Sequence, residues 1–174
     1  MAEKPEGKKS DDGFSKPENN YLKLYSLKKE LANGRRVIIA VAGLTLLNML
    51  LIFYKVKIIF PFSLTSPTFA IALASSFEFK YSIPNLVPIA YILSIFLITV
   101  YIFLYYLSKK GSLAILISLI LFSVDSVLFI VNAVMLKNTF IYAIFGLIFH
   151  AWILQSLIRL YIDSIELKKL TRNM

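Results

Sequence analysis

Four long apolar stretches dominate the pattern of hydrophobic and polar positions along this chain. A helix needs about 20 apolar residues to cross roughly 30 Å of hydrocarbon, and the four stretches have close to that length. The first one follows a polar segment, so it does not have the position of a cleaved signal peptide. The pattern predicts an all-α integral membrane protein with a four-helix transmembrane bundle. The predicted spans are residues 37–54, 86–107, 113–136 and 140–158.

The polar segments divide the rest of the chain. Residues 1–20 are rich in Lys, Glu, Asp, Gly and Pro and cannot bury enough apolar surface to repay the entropy of ordering, which predicts a disordered cytoplasmic tail. In residues 21–34 apolar and basic positions alternate as in a short amphipathic juxtamembrane helix, and we expect Asn33-Gly34 to end it. Residues 35–165 then form the transmembrane domain, and residues 166–174 form a second cytoplasmic tail.

The segment between the first two spans is unusual, because it contains an apolar run that is too short to cross a bilayer. Residues 69–74 form this run, and Pro61, Pro67 and Pro84 interrupt the segment around it. Prolines free backbone groups, and such groups at membrane depth must be satisfied by protein or water. We therefore predict an outer-leaflet or re-entrant segment between helices 1 and 2. Its candidate outer-loop residues are Phe60, Phe62, Ser63 and Pro67.

Composition and charge indicate the surroundings of the chain. Its 174 residues are 58% hydrophobic, above the roughly 45–50% usual for soluble domains. The net charge of +9 comes from basic residues beside the spans, where they meet anionic headgroups, so membrane lipids and not nucleic acid are the expected partner. With the N-terminus inside, fifteen Lys and Arg residues lie inside and four outside, which predicts cytoplasmic N- and C-termini in the cell membrane. The expected inner-interface anchors are Arg35, Arg36, and an i,i+4 pair of Arg159 with Asp163.

Polar side chains inside the predicted spans form a candidate polar centre. Asp125 and the single histidine, His150, each lie about twelve residues from the turn between spans three and four, so both fall near the bilayer midplane. A carboxylate at this depth costs about 2.5–3.5 kcal/mol on insertion scales and needs a partner in the bundle interior. We expect Asp125 to pair with His150. The other members are Ser118, Ser126 and Asn132 of span three, and Thr45 and Asn48 of span one.

Two interpretations of this polar centre stay open. A histidine beside a carboxylate can titrate near neutral pH, so the pair can serve as a proton relay or an ion site. Alternatively, the polar groups form interhelical hydrogen bonds that fix the bundle, while Ala143 and Gly146, on the same face as His150, allow close helix approach. A metal site is not expected, because cysteine is absent and one His with one Asp does not complete a ligand set.

The sequence contains no recognisable catalytic motif. Ser123 and Ser126 lie close to Asp125 along the chain, but near neighbours on a helix point in different directions and no nucleophile motif surrounds them. The outer segment offers one candidate rim for an enzyme that acts on lipid or envelope precursors. This rim would contain Ser63, Thr65, Glu78 and Lys80.

Three stretches carry a family pattern. They are Phe-Pro-Phe-Ser-Leu-Thr-Ser-Pro at residues 60–67, Phe-Ser-Val-Asp-Ser at 122–126, and Phe-His-Ala-Trp-Ile-Leu-Gln-Ser-Leu at 149–157. In order and spacing they resemble an uncharacterised family of small bacterial four-span membrane proteins, over most of residues 35–165. The resemblance implies that Asp125 and His150 belong together, whereas the long charged N-terminal tail departs from the family pattern.

The functional hypothesis that the sequence favours is an accessory or interaction subunit of a membrane complex. It depends on the four spans, the lack of a recognisable catalytic motif and the many aromatic residues. The expected partner is another membrane protein or a second copy of the chain, and no cofactor is expected. The first alternative is a proton- or ion-linked transport component that uses the Asp125–His150 pair. The second alternative is a membrane enzyme acting on lipid or envelope precursors.

Overall fold

A computed structural model describes residues 16–56, 60, 63–135 and 140–172, and the regular structure of these residues is entirely helical. Four of the helices in this part of the chain are long and apolar enough to cross a membrane. They are α1, α3, α4 and α5, so the predicted all-α bundle with four candidate spans is confirmed. The helices are α1 Lys16–Phe53, α2 Thr65–Tyr81, α3 Leu86–Ser108, α4 Ser112–Met135 and α5 Phe140–Arg172.

The four long helices form a ring. Helix α1 packs against α3 and α5, α4 packs against the same two helices, and the short α2 packs mainly against α3 and also contacts α4 and α1. We call the end of the bundle where α1 begins and α5 finishes the terminal end, and the end where α1 finishes and α3 begins the loop end. All five helices contribute to one buried apolar cluster, which includes Leu31, Val41, Ile71, Ile98, Ile115, Phe122 and Ile153.

Helix α1 differs from the predicted organisation, because it continues without a break for 38 residues. Residues 16–20, assigned above to a disordered tail, are helical, and the helix does not end at Asn33-Gly34. Gly34 instead faces α5, where a side-chain atom of Leu160 lies 2.8 Å from the position that a Cβ atom would take. Small residues let membrane helices approach closely, so this glycine serves packing. Residues 1–15 lie outside the described part of the chain.

Helix α5 continues past the predicted fourth span, so residues 166–172, assigned above to a tail, are helical as well. This extension lies beside the first half of α1, where Lys23 Nζ is 2.5 Å from Glu166 Oε1. The two side chains are 55% and 42% exposed, and exposed ion pairs contribute only about 0–1 kcal/mol. The buried Leu27 and Leu31 of α1 therefore contribute more to this contact region than the ion pair does.

At the loop end, α1 finishes in a Schellman motif. The Val56 N–H donates to Leu51 O and the Lys55 N–H donates to Ile52 O, both at 2.9 Å. Lys55 has a φ angle of 57°, which is the left-handed conformation at the position where glycine is usual. The next described residue, Phe60, lies alongside α1, where its backbone bonds Asn48.

Candidate functional site

Two side chains of α1 hold the segment that follows the helix. Asn48 Oδ1 accepts the Phe60 N–H at 2.9 Å, and its Nδ2 donates to Phe60 O at 2.7 Å and to Ser63 Oγ at 2.5 Å. Thr45 Oγ1 accepts the Leu64 N–H at 3.0 Å. Asn48 and Thr45 precede the last residue of α1 by five and eight residues, or about 8 and 12 Å along the helix axis. The segment has therefore returned toward the middle of the bundle.

The next residues place the start of α2 against Asp125 of α4. Asp125 Oδ2 accepts the Thr65 N–H at 2.8 Å, and Oδ1 accepts the Ser66 N–H at 2.7 Å. Asp125 is 3% exposed and is residue 14 of the 24 residues of α4, so α2 begins about halfway along that helix. The carboxylate caps a helix that begins inside the bundle.

Every backbone donor in the first turn of α2 is accounted for. A helix leaves its first four N–H groups without intrahelical acceptors. Here Thr45 accepts the first, Asp125 accepts the next two, and the fourth residue, Pro67, has no N–H. The negative carboxylate also lies at the positive end of the helix dipole, which stabilises its charge. The start of α2 and the buried carboxylate therefore satisfy each other.

His150 lies among aromatic side chains between α4 and α5. Its Nδ1 is 3.0 Å from Ser126 Oγ, and the imidazole stacks on the rings of Phe122 and Phe129 at centroid separations of 5.1 and 4.6 Å. The Phe129 ring occupies the space that a Cβ atom on Gly146 would fill. Because Gly146 has no side chain, the Phe129 ring of α4 fits beside His150.

Asp125 and His150 form no direct hydrogen bond or ion pair in the described residues, although the two groups lie close enough to interact electrostatically. Both oxygens of Asp125 bind the start of α2, whereas His150 contacts Ser126, the residue after Asp125. Adjacent helix residues lie about 100° apart around the axis, so one faces α2 and the other faces α5. The matching depth of Asp125 and His150 in the sequence could not show that they have different partners. The carboxylate binds backbone N–H groups, and every non-proline residue has such a group, so the sequence does not mark which residue binds it.

A small cavity of about 250 Å³ lies beside Asp125, and Tyr101 of α3 is one of its lining residues. The Tyr101 side chain is 2% exposed, and its hydroxyl has no hydrogen-bond partner in the described structure. The sequence did not mark Tyr101 as a member of the polar centre, because a tyrosine in this part of a span is also typical of the interfacial aromatic belt. His150 Nε2 and Asn132 Oδ1 are likewise buried without a partner in the described residues.

The predicted inner-interface anchors have different environments. Arg35 is half-buried and lines a cavity at the terminal end, while Arg36 is exposed. The predicted ion pair between Arg159 and Asp163 is not formed in the described part of the chain. Arg159 is exposed, and a long side chain at the surface gains little by holding one fixed ion-pair geometry.

The candidate enzyme rim is not formed by the side chains proposed for it. Ser63 and Thr65 are 6% and 7% exposed, because they belong to the segment held inside the bundle. Glu78 Oε2 accepts the Val87 N–H at 3.3 Å in the first turn of α3, and Lys80 lies over an adjacent tyrosine ring. Within the described residues, no group of three His, Asp or Glu side chains lies close enough to hold a metal ion.

The four outer-loop candidates have separate structural roles. Phe60 is bonded through its backbone to Asn48, and its side chain is 37% exposed. Ser63 binds the same asparagine, and Pro67 is buried in the first turn of α2. Phe62 lies outside the described residues. The described members of the set therefore fix the path of the chain into α2.

An apolar cleft of about 830 Å³ lies at the loop end between α1, α2 and α3. Its volume is in the upper part of the range of about 300–1,000 Å³ found for small-molecule pockets. Phe53, Ile71 and Tyr91 are among the walls, and Ile92 is 66% exposed at the surface of the cleft. Lys55 is the one charged residue among the described residues that line it. Because α2 contributes one wall, the position of α2 determines the shape of the cleft.

No known protein family, characterised protein or solved structure matches this chain. The resemblance to a family of four-span bacterial membrane proteins therefore stays a prediction. The function must be inferred from three features of the described structure: the carboxylate that holds α2, the imidazole enclosed by aromatic rings, and the lateral apolar cleft.

Proposed function

We propose that the protein is an accessory subunit of a membrane complex and not a catalyst. In this proposal, α2 and the described residues that lead into it form a re-entrant segment in the outer leaflet, and the bundle presents the cleft beside α2 to a membrane-protein partner. The observation that supports the proposal best is the contact of both Asp125 oxygens with the Thr65 and Ser66 N–H groups. The buried carboxylate of Asp125 thus holds the start of α2 in place.

The depth of α2 supports a re-entrant placement. Helix α4 is long and apolar enough to be a span, and α2 begins about halfway along it, which corresponds to the bilayer midplane. Glu78, near the other end of α2, binds the first turn of α3 at the loop end. A helix of 17 residues is about 25 Å long, which is sufficient to connect the midplane with the membrane surface.

The shape of the cleft supports a partner at this position. Exposed apolar side chains are ordinary on a membrane protein, since lipid covers them, so hydrophobicity alone does not mark an interface. Association of helices in lipid depends instead on close van der Waals packing. A concave apolar surface of about 830 Å³ offers a partner side chain more contact than a smooth helix face does.

A substitution at the cleft tests the proposal. Ile92→Trp places a large ring at the cleft and should reduce co-purification of the partner from mild detergent roughly tenfold, equivalent to about 1.4 kcal/mol. Ile120→Trp is the matched control, because Ile120 is 54% exposed on α4 and does not line the cleft. A monomeric wild-type protein with neither a partner nor a tightly bound lipid would contradict the proposal, and so would equal losses in the two variants.

Proton- or ion-linked transport is a second candidate, and the cavity of about 250 Å³ beside Asp125 is the observation that favours it. The cavity is large enough for water, and an intramembrane carboxylate beside water can exchange a proton. Transport predicts a pH-dependent flux in proteoliposomes that Asp125→Asn and His150→Ala abolish while the fold stays intact. The accessory role predicts no flux in the wild type and lower stability in Asp125→Asn.

The contact between Ser126 and His150 has the residue types of a nucleophile and its base, but its surroundings do not favour catalysis. The two side chains are 7% and 3% exposed, and Phe122 and Phe129 cover the imidazole. Ser126 Oγ also donates to Phe122 O at 2.8 Å. A substrate would have to displace packed rings to reach the serine, so we do not propose an enzyme.

A further inference from the structure

A second cavity, of about 640 Å³, lies at the terminal end of the bundle, where the turn between α3 and α4 meets α1 and the last turns of α5. Thirteen of the described residues line this cavity, and five of these are basic and none is acidic. Like charges around one space repel each other, and an anion bound between them would relieve the repulsion. The basic residues are Arg35, Lys109, Lys110, Lys168 and Arg172.

Two acidic residues of the terminal end, Asp163 and Glu166, have neighbours outside the cavity lining. Glu166 pairs with Lys23 where α5 meets α1. Asp163 interacts electrostatically with Glu30, Glu166 and Arg159, and none of these residues lines the cavity. Among the described residues, the positive charge around the cavity is therefore not balanced by a carboxylate in the lining.

Two kinds of donor in the cavity suit a phosphate group. Arg35 Nε is buried and has no hydrogen-bond partner in the described structure, and a guanidinium presents planar donors that match phosphate oxygens. Ser112, the first residue of α4, also lines the cavity. The first turn of a helix has N–H groups without intrahelical acceptors and favours anions.

We propose that this cavity binds a phosphate group, carried either by an anionic lipid headgroup or by free phosphate. Leu31, Leu113 and Leu167 contribute an apolar part to the lining, and basic sites between membrane helices on the cytoplasmic side are suited to phosphate headgroups. The site lies at the opposite end of the bundle from the apolar cleft, so it does not depend on the proposed accessory role.

The site is tested by measuring how tightly two probes bind to the purified full chain. The probes are short-chain phosphatidic acid and inorganic phosphate, and short-chain phosphatidylcholine is the zwitterionic reference. Arg35→Gln and Lys168→Gln should each weaken probe binding roughly tenfold, because each removes a charge-assisted hydrogen bond. Arg36→Gln and Lys169→Gln are the matched controls: they remove the same charge from adjacent, exposed positions outside the lining. They should weaken binding less than about twofold, because these two side chains lie outside the lining and do not bond the phosphate group, and solvent screens their attraction at longer range.

The probes distinguish the source of the phosphate group. Binding of phosphatidic acid alone identifies a lipid headgroup, and binding of inorganic phosphate, with or without the lipid, identifies the free ion. The proposal is overturned if neither probe binds more tightly than phosphatidylcholine, or if the controls lose as much binding as the cavity variants. If Arg35→Gln lowers the melting temperature of the protein without probe, its loss of binding could reflect a damaged fold. Lys168 is exposed, so Lys168→Gln should leave the fold intact and still tests the site.

Discussion

The carboxylate of Asp125 lies where a charge is costly, and two neighbouring residues offset that cost. A carboxylate at the middle of a span costs about 2.5–3.5 kcal/mol on insertion scales, and a helix that starts at the same depth has N–H groups that water cannot reach. The bonds from Thr65 and Ser66, at 2.8 and 2.7 Å, offset both costs. The carboxylate and the start of α2 therefore stabilise each other.

Removal of this carboxylate should destabilise the fold. Asp125→Ala leaves two buried N–H groups unsatisfied, at roughly 1–3 kcal/mol each, so the free energy of unfolding should fall by about 2–6 kcal/mol. Asp125→Asn keeps one acceptor and should cost less. Unfolding in mixed micelles measures both effects, with Ser123→Ala as the control, because the one partner of the Ser123 hydroxyl among the described residues is Leu119 O of its own helix. Equal stability of Asp125→Ala and Ser123→Ala would show that the contact with α2 is not needed.

At the scale of helices, close contacts depend on glycines that face another helix. Gly34 of α1 meets Leu160 of α5, and Gly146 of α5 meets Phe129 of α4. Gly43 has no neighbouring atom within 4 Å of the position that a Cβ atom would take. Glycines of the same helical bundle should therefore respond in opposite ways to an added methyl group.

Gly146→Ala should lower the free energy of unfolding by about 1–3 kcal/mol, because the new methyl group overlaps the Phe129 ring and overpacks the contact. Gly43→Ala should instead raise it by about 0.5–1 kcal/mol, because alanine has the higher helix propensity and space is available. Thermal unfolding of the two variants beside the wild type checks both signs. A stabilised Gly146→Ala would mean that the contact between α4 and α5 is looser than the structure indicates.

At the scale of the whole molecule, the two ends of the bundle have different characters. The terminal end carries the helical extensions of α1 and α5 and the basic cavity, whereas the loop end carries α2 and the apolar cleft. The excess of Lys and Arg at the terminal end predicts that this end faces the cytoplasm. The phosphate site and the partner site would then lie on opposite sides of the membrane.

Labelling of introduced cysteines checks this orientation, because the chain has no cysteine of its own. Tyr21→Cys and Lys169→Cys lie at exposed positions of the terminal end, and Phe79→Cys lies on α2, where the native side chain is 92% exposed. A membrane-impermeant thiol reagent should label Phe79→Cys in intact cells, and should label the other two only after permeabilisation. The reverse pattern would invert the predicted topology.

The sequence by itself determined the four candidate spans, because crossing a bilayer requires a length of apolar helix that is visible as a continuous run. It also identified Asp125 and His150 as buried polar residues, since charge and depth can be counted along a helix. The tertiary structure alone decided what those residues contact. The partner of Asp125 is the backbone of α2, and the role of Gly34 depends on Leu160 of another helix. Neither a backbone donor nor a distant neighbour leaves a local sequence signal, because both depend on how separate helices pack.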